Sequence, residues 1–160
     1  MEPGEHYRHT QIGYAAIVTV GLVVALSVWL YFQLGGPTGA TWPMLFVGLF
    51  FLVLLVLLCT QTVVVRDEEV EIRFGPGLIR KRYQLRKFTS VKVVRNWWWY
   101  GFGIQCIVRG WLYSVGGLHA VELRKEDGKV VRIGTDEPEA LEAALRKAIA
   151  ALNAHVDAEG

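Results

Sequence analysis

Two long apolar runs stand almost end to end near the start of the chain, and they constrain its folding more than any other feature. The first, Ile12 to Leu34, carries no charged residue, and its clearly polar side chains are Thr19, Ser27 and Gln33. The second, Met44 to Leu58, is extended by Trp42-Pro43 on one side and Cys59-Thr60 on the other. A helix needs about 20 apolar residues to cross a hydrocarbon core of roughly 30 Å. The first run has that length and the second reaches it with its flanks, which gives expected spans at 12–34 and 42–60. Between them Gly35-Gly36-Pro37-Thr38-Gly39-Ala40-Thr41 forms a compact turn without charge. The pattern predicts a transmembrane helical hairpin. A cleavable signal peptide has a shorter apolar core, and a buried hairpin of a soluble protein shows polar residues at helical spacing.

The charges are partitioned to match. Residues 1–65 hold Glu2, Glu5 and Arg8 alone, while residues 66–160 hold 16 Lys and Arg against 13 Asp and Glu. Cations are retained on the cytoplasmic side and short translocated loops avoid them. Both termini are therefore expected in the cytoplasm, with residues 1–11 as an N-terminal tail. Trp29, Tyr31 and Trp42 suit an outer aromatic belt. Cys59 and Cys106 have no Cys-x-x-Cys spacing, and a disulfide framework is not expected.

Residues 61–154 are long enough for one small domain with its own core, followed by a tail at 155–160. Gln61–Arg66 is β-branched, and Val70-Glu71-Ile72-Arg73-Phe74 alternates as a half-buried strand does. Gly75-Pro76-Gly77 breaks the pattern. Further strands are expected at 78–85, 88–94, 104–108, 111–115, 120–124 and 130–133, with a hairpin turn at Glu126-Asp127-Gly128-Lys129. The period then lengthens to that of a helix. Asp136 is placed to cap it, with Glu139 completing a capping-box variant. Pro138 lies in the first turn, and Leu141, Leu145, Ala148, Ile149 and Leu152 form the apolar stripe.

About seven short strands in meander order closed by a C-terminal helix is the pleckstrin-homology arrangement. The chain resembles bacterial membrane proteins with a pleckstrin-homology-like domain attached to a two-helix transmembrane hairpin. Residues 62–72, the turn Phe74-Gly75-Pro76-Gly77, Tyr100-Gly101-Phe102-Gly103-Ile104, Arg109-Gly110-Trp111-Leu112-Tyr113, and Arg132 to Pro138 carry the resemblance. These motifs are structural. They imply a fold and a place in a bacterial inner membrane, and members of such families are mostly binding or scaffolding modules.

Two clusters are candidates for contact. Arg80, Lys81, Arg82, Arg86 and Lys87 put five cations in eight positions. Cations near a membrane surface attract anionic headgroups at about 1 kcal/mol each, although positive-inside topology alone also accounts for them. Trp97, Trp98, Trp99 and Tyr100, with Phe102 beyond, cannot all face one core, because strand side chains alternate. They are expected at the bilayer interface or in a partner's pocket, the alternative being a satellite cluster under the C-terminal helix. Gly101-x-Gly103 lacks the context of a nucleotide loop. His6 and His9, taken as sharing a helix face, do not make a metal site, and no nucleophile–base set stands out.

The expected function is that of a non-enzymatic, membrane-anchored adaptor, an accessory subunit docking on a larger integral membrane complex of the kind found in photosynthetic or respiratory assemblies. The alternative is a module sensing anionic lipid or membrane stress. No catalytic residue, cofactor, metal or nucleic-acid partner is expected; self-association stays open. Gly13, Ala16, Val20 and Gly21 offer a close-packing face on the first span.

Overall fold

The computed structural model describes residues 4–34, 42–96 and 103–159, with side chains described to residue 154. Among these residues, two helices lie near the N-terminus, nine strands make two sheets, and a third helix follows the last strand. The first sheet contains β1 (Glu5–Ile12), β2 (Thr60–Arg66), β3 (Glu69–Phe74) and β4 (Ile79–Gln84) in that order. The second contains β5 (Phe88–Arg95), β6 (Gly103–Ile107), β7 (Gly110–Ser114), β8 (His119–Lys125) and β9 (Val130–Gly134). Its order is β5-β8-β9-β7-β6.

That order departs from the expected meander. The β8–β9 hairpin is inserted between β5 and β7, so β9 runs parallel to β7, with Gly110 opposite Val130 and Tyr113 opposite Ile133. Every other pair is antiparallel. At Gly110 a Cβ would collide with the Val130 carbonyl, so glycine admits the close approach where the parallel pair begins.

The second correction is β1. The expected tail is a strand paired with β2 from Glu5–Arg66 to Ile12–Thr60, and His6 and His9 lie on it rather than on a helix. Helix α1 (Tyr14–Gln33) begins directly after β1, and α2 (Trp42–Leu58) ends directly before β2. Two adjacent strands of one sheet thus continue into two helices that pack on each other. Gly48 faces Ser27 at this contact, with its Cβ position 3.6 Å from that of Ser27. Gly21, expected on a packing face, meets nothing within 4 Å. Ser27 and Thr19 satisfy their hydroxyls by donating to the carbonyls of Val23 and Ala15 one turn earlier.

No residue of α1 is buried, and Gly48 alone is buried in α2. Leu22, Phe32 and Phe46 are 67%, 73% and 68% exposed. Among the described residues, α1 is the one helix long and apolar enough to cross a membrane, at 20 residues; α2 has 17.

The core lies between the sheets. Val63, Val65, Val70, Ile72 and Phe74 meet Tyr113, Val115, Val121, Leu123, Val131 and Ile133. Helix α3 (Pro138–Glu159) closes one side against β1, β2, β5 and β8, burying the expected stripe Leu141, Leu145, Ala148 and Leu152 with Ile149 beside it. It continues through the segment expected as a tail. Its start is also built differently: Thr135 Oγ1 accepts the Glu137 N–H at 3.1 Å, while Asp136 is engaged by His9.

A glycine collar joins helices to sheets. The Gly13 N–H donates to the Cys59 carbonyl at 2.7 Å, and a Cβ at Gly13 would run into the Val115 carbonyl. Gly75 has φ +54°, and its Cβ position lies 2.5 Å from the Val56 carbonyl and 2.7 Å from that of Leu57. Buried Gln11 and Gln61, opposite each other in β1 and β2, donate to the carbonyls of Gly116 and Gly134 at 3.0 and 3.3 Å, tying the sheets together beside the collar.

A paired substitution separates close approach from backbone strain. Gly128 has φ +77° with open space around it, so Gly128→Ala should cost about 1 kcal/mol through the left-handed conformation alone. Gly75→Ala adds the collision with two carbonyls of α2 and should cost distinctly more. Thermal unfolding of the two variants in the same detergent checks the order.

Candidate interaction site

The outer face of the first sheet is electrostatic. Alternation turns Val70, Ile72 and Phe74 to the core and Glu71 and Arg73 away from it. Glu71 is nevertheless fully buried, because arginines from three strands fold over it. Arg73 Nη2 donates to Glu71 Oε2 at 2.8 Å, Arg82 Nε lies 3.4 Å from Oε1, and Arg66 Nη1 lies 3.8 Å from Oε2. The Arg73 hydrogen bond holds the Glu71 carboxyl below the usual glutamate range against the opposing effect of burial, helped by the charges of Arg73 and Arg82.

The cationic run is divided by this geometry. Arg80 and Arg82 are paired with Arg73 and Glu71 on the outer face, whereas Lys81 is paired with core-facing Ile72 and so points to the other side of β4. Arg80 Nε donates to the Gly77 carbonyl at 2.6 Å. Arg86 and Lys87 sit in a single 3-10 turn, with Arg86 4.0 Å from Glu68. The five cations do not converge on one position.

Trp97, Trp98, Trp99, Tyr100 and Phe102 lie outside the described residues. Their flanks are placed. The Asn96 N–H donates to the Leu118 carbonyl at 2.6 Å, and Gly103 has its Cβ position 3.9 Å from Leu58 of α2. Gly103 therefore lies beside the end of α2.

The histidines of β1 each meet a carboxylate from a distant element. His6 Nε2 is 2.5 Å from Asp67, in the β2–β3 turn. His9 Nε2 is 2.7 Å from Asp136, and its Nδ1 is 3.5 Å from Glu137. Tyr7 donates toward Glu137 at 3.5 Å, and its hydroxyl is pushed up to about 12, first by burial and then by the Glu137 charge. The His9 and Tyr7 contacts fasten β1 to the start of α3, and the His6 contact fastens it to the β2–β3 turn. No group of three or more metal-ligating side chains occurs among the described residues.

One feature was not read from the sequence. Strands β4 and β6 are the outer strands of their sheets, and at the end remote from the helices an open groove of about 810 Å³ lies between them. Tyr83 contributes from β4, Cys106 and Ile107 from β6, Trp111 from β7, and Lys125, Asp127 and Lys129 from the β8–β9 hairpin. The Tyr83 and Tyr113 hydroxyls meet at 2.6 Å at the boundary with the core. Burial, with the Tyr83 hydrogen bond second, raises the Tyr113 hydroxyl well above the ordinary tyrosine range. The available signal was Trp111, an indole at a core-facing position of a short strand next to a cationic turn.

No family model matches the chain, and no curated protein is significantly similar to it.

The Glu71 cage makes a test of the electrostatics. Its folded-state pKa is depressed, so its contribution is present above the unfolded glutamate value of about 4.3. That contribution is lost as pH falls through the folded-state value. Glu71→Gln should destabilise at pH 7 by about 1–3 kcal/mol, less than for a fully buried pair because the arginines are partly solvated. The gap to the parent should close on acidification, as unfolding followed from pH 7 to pH 3 will read.

Proposed function

We propose that the protein is a non-enzymatic, membrane-anchored adaptor whose β-domain is of pleckstrin-homology-like type and docks on a larger integral membrane complex. The observation that carries the reading is the continuation of β1 and β2 into α1 and α2. Since β1 and β2 are hydrogen-bonded neighbours, whatever side of a membrane holds one holds the other. A crossing by α1 therefore requires a return, and α2 supplies it with about 26 Å of helix plus the flanking residues. A helix apolar on all sides and uncovered by its own chain belongs in lipid rather than water. Removal of α1 as a signal segment would also strip β1 from the sheet it completes.

The fold supports the pleckstrin-homology-like reading through a four-stranded meander, a second sheet packed on it and a C-terminal helix over one side; the parallel β7–β9 pair is its own variation. The cation balance beyond residue 65 favours a cytoplasmic domain. Docking draws support from the run of aromatic residues at 97–102, which is followed by Gly103 beside Leu58 of α2. The lipid-sensing alternative draws less, because the cations at 80–87 are spread over two faces and several are already bonded.

Reporters that fluoresce only in the cytoplasm, fused separately at Met1 and Gly160, should both be bright. One bright and one dark fusion would refute the paired crossing.

Solubilised from its native membrane in mild detergent, the protein should run within a particle much larger than its own micelle. Replacing Trp98 and Trp99 with Ser should release it while the domain stays folded, since interface hot spots favour Trp at about 2 kcal/mol or more. A wild-type chain that runs free contradicts the adaptor reading.

A further inference from the structure

The groove between β4 and β6 is placed away from any membrane. Strand β7 runs from the groove at Gly110 and Trp111 to Ser114, next to Val115 in the collar. The groove thus faces the aqueous side, at the opposite end of the sandwich from α1 and α2. Its floor is aromatic: Trp111 is 47% exposed although it lies on the core-facing side of its strand, and Tyr83 flanks it. Its rim is cationic. Lys125 Nζ stands 5.5 Å from the Tyr83 ring centroid and makes no ion pair with a described residue, and the same holds for Arg109. Lys129 is occupied by Asp127 at 3.0 Å, so three cations face one already paired carboxylate. Among the described residues, two outer strands border this space, each with a row of backbone groups that no neighbouring strand uses.

We infer that this groove binds an extended, acidic segment of a partner protein, laid along the free edge of β6. The inference rests on the adaptor reading for the existence of a partner and adds the site and the chemistry of the segment. Strand addition to a free edge uses backbone hydrogen bonds for affinity and alternate side chains for specificity. With side chains alternating, every second residue of the segment reaches Trp111 and Tyr83, which calls for apolar or aromatic groups there. Arg109 and Lys125 stand at the rim of the same groove, beside Trp111 and Tyr83, which calls for Asp or Glu next to those apolar groups. Strand β6 has five residues, Gly103–Ile107, so the paired stretch is of similar length. The aqueous placement and the edge strands favour a peptide over a lipid headgroup.

The test uses full-length protein in nanodiscs and a phage-displayed library of random 12-residue peptides as the probe. Selected peptides should be enriched in Asp and Glu next to apolar residues, and should slow hydrogen exchange across residues 104–107. Trp111→Ser, and separately Lys125→Glu with Lys129→Glu, should weaken a selected peptide about tenfold or more, while Lys125→Arg retains it. Unchanged unfolding temperatures certify that the variants are folded. Selection of peptides without acidic enrichment, or affinity that survives both sets of substitutions, overturns the inference. So does a groove that takes up oleate micelles and ignores peptides. These readings need no natural partner, so they are independent of whether the chain runs in a larger particle, and the adaptor reading stands or falls on that separate result.

Discussion

Pairing of β1 with β2 is the contact on which the arrangement depends. It closes a ring of structure in which the polypeptide leaves the sheet at Ile12, passes through α1 and α2, and returns at Thr60 directly opposite. Without it the helices would hang from one strand and be free to swing. With it, both ends of the helical pair are fixed about one interstrand spacing apart, about 5 Å, which holds the two helices side by side. The glycine collar then makes the join rigid: Gly13 and Gly75 bring the backbones of the two parts into direct contact, which any side chain would prevent.

Polar chemistry does much of the work that aliphatic packing does elsewhere. The side of β1 that faces inward carries Tyr7, His9 and Gln11, and each finds a partner far away in sequence: Glu137, Asp136 and the Gly116 carbonyl. On the outer face, Glu71 is enclosed by Arg66, Arg73 and Arg82, so three strands are linked through one carboxylate. Such networks contribute less than their Coulomb energy because the charges must leave water, yet losing one member leaves the others uncompensated. They also give a sheet with many charged residues a single register.

Much of this was legible in the chain. Strands β2 to β9 follow period-two runs bounded by glycine or acidic turns, and the stripe of α3 is written in Leu141, Leu145, Ala148 and Leu152. Strand β1 was not legible because its buried residues are polar, and their partners lie more than 50 residues away. The position of β9 beside β7 was not legible because periodicity reports which residues form strands and not the order in which they pair. The run Arg80-Lys81-Arg82 looks like one patch in linear sequence, but a strand sends its middle member to the opposite face. The groove is assembled from five strands and two turns, and only Trp111 and the cations of the β8–β9 hairpin hinted at it.

The join of helices to sheet requires β1 to be a strand of the sheet rather than a tail, and hydrogen exchange of the full chain in nanodiscs measures that directly. The amides of residues 7–12 should exchange as slowly as those of residues 61–65, and both segments should lose protection together as denaturant is raised. Exchange of residues 7–12 at the rate of an unstructured peptide, with residues 61–65 still protected, would contradict the account.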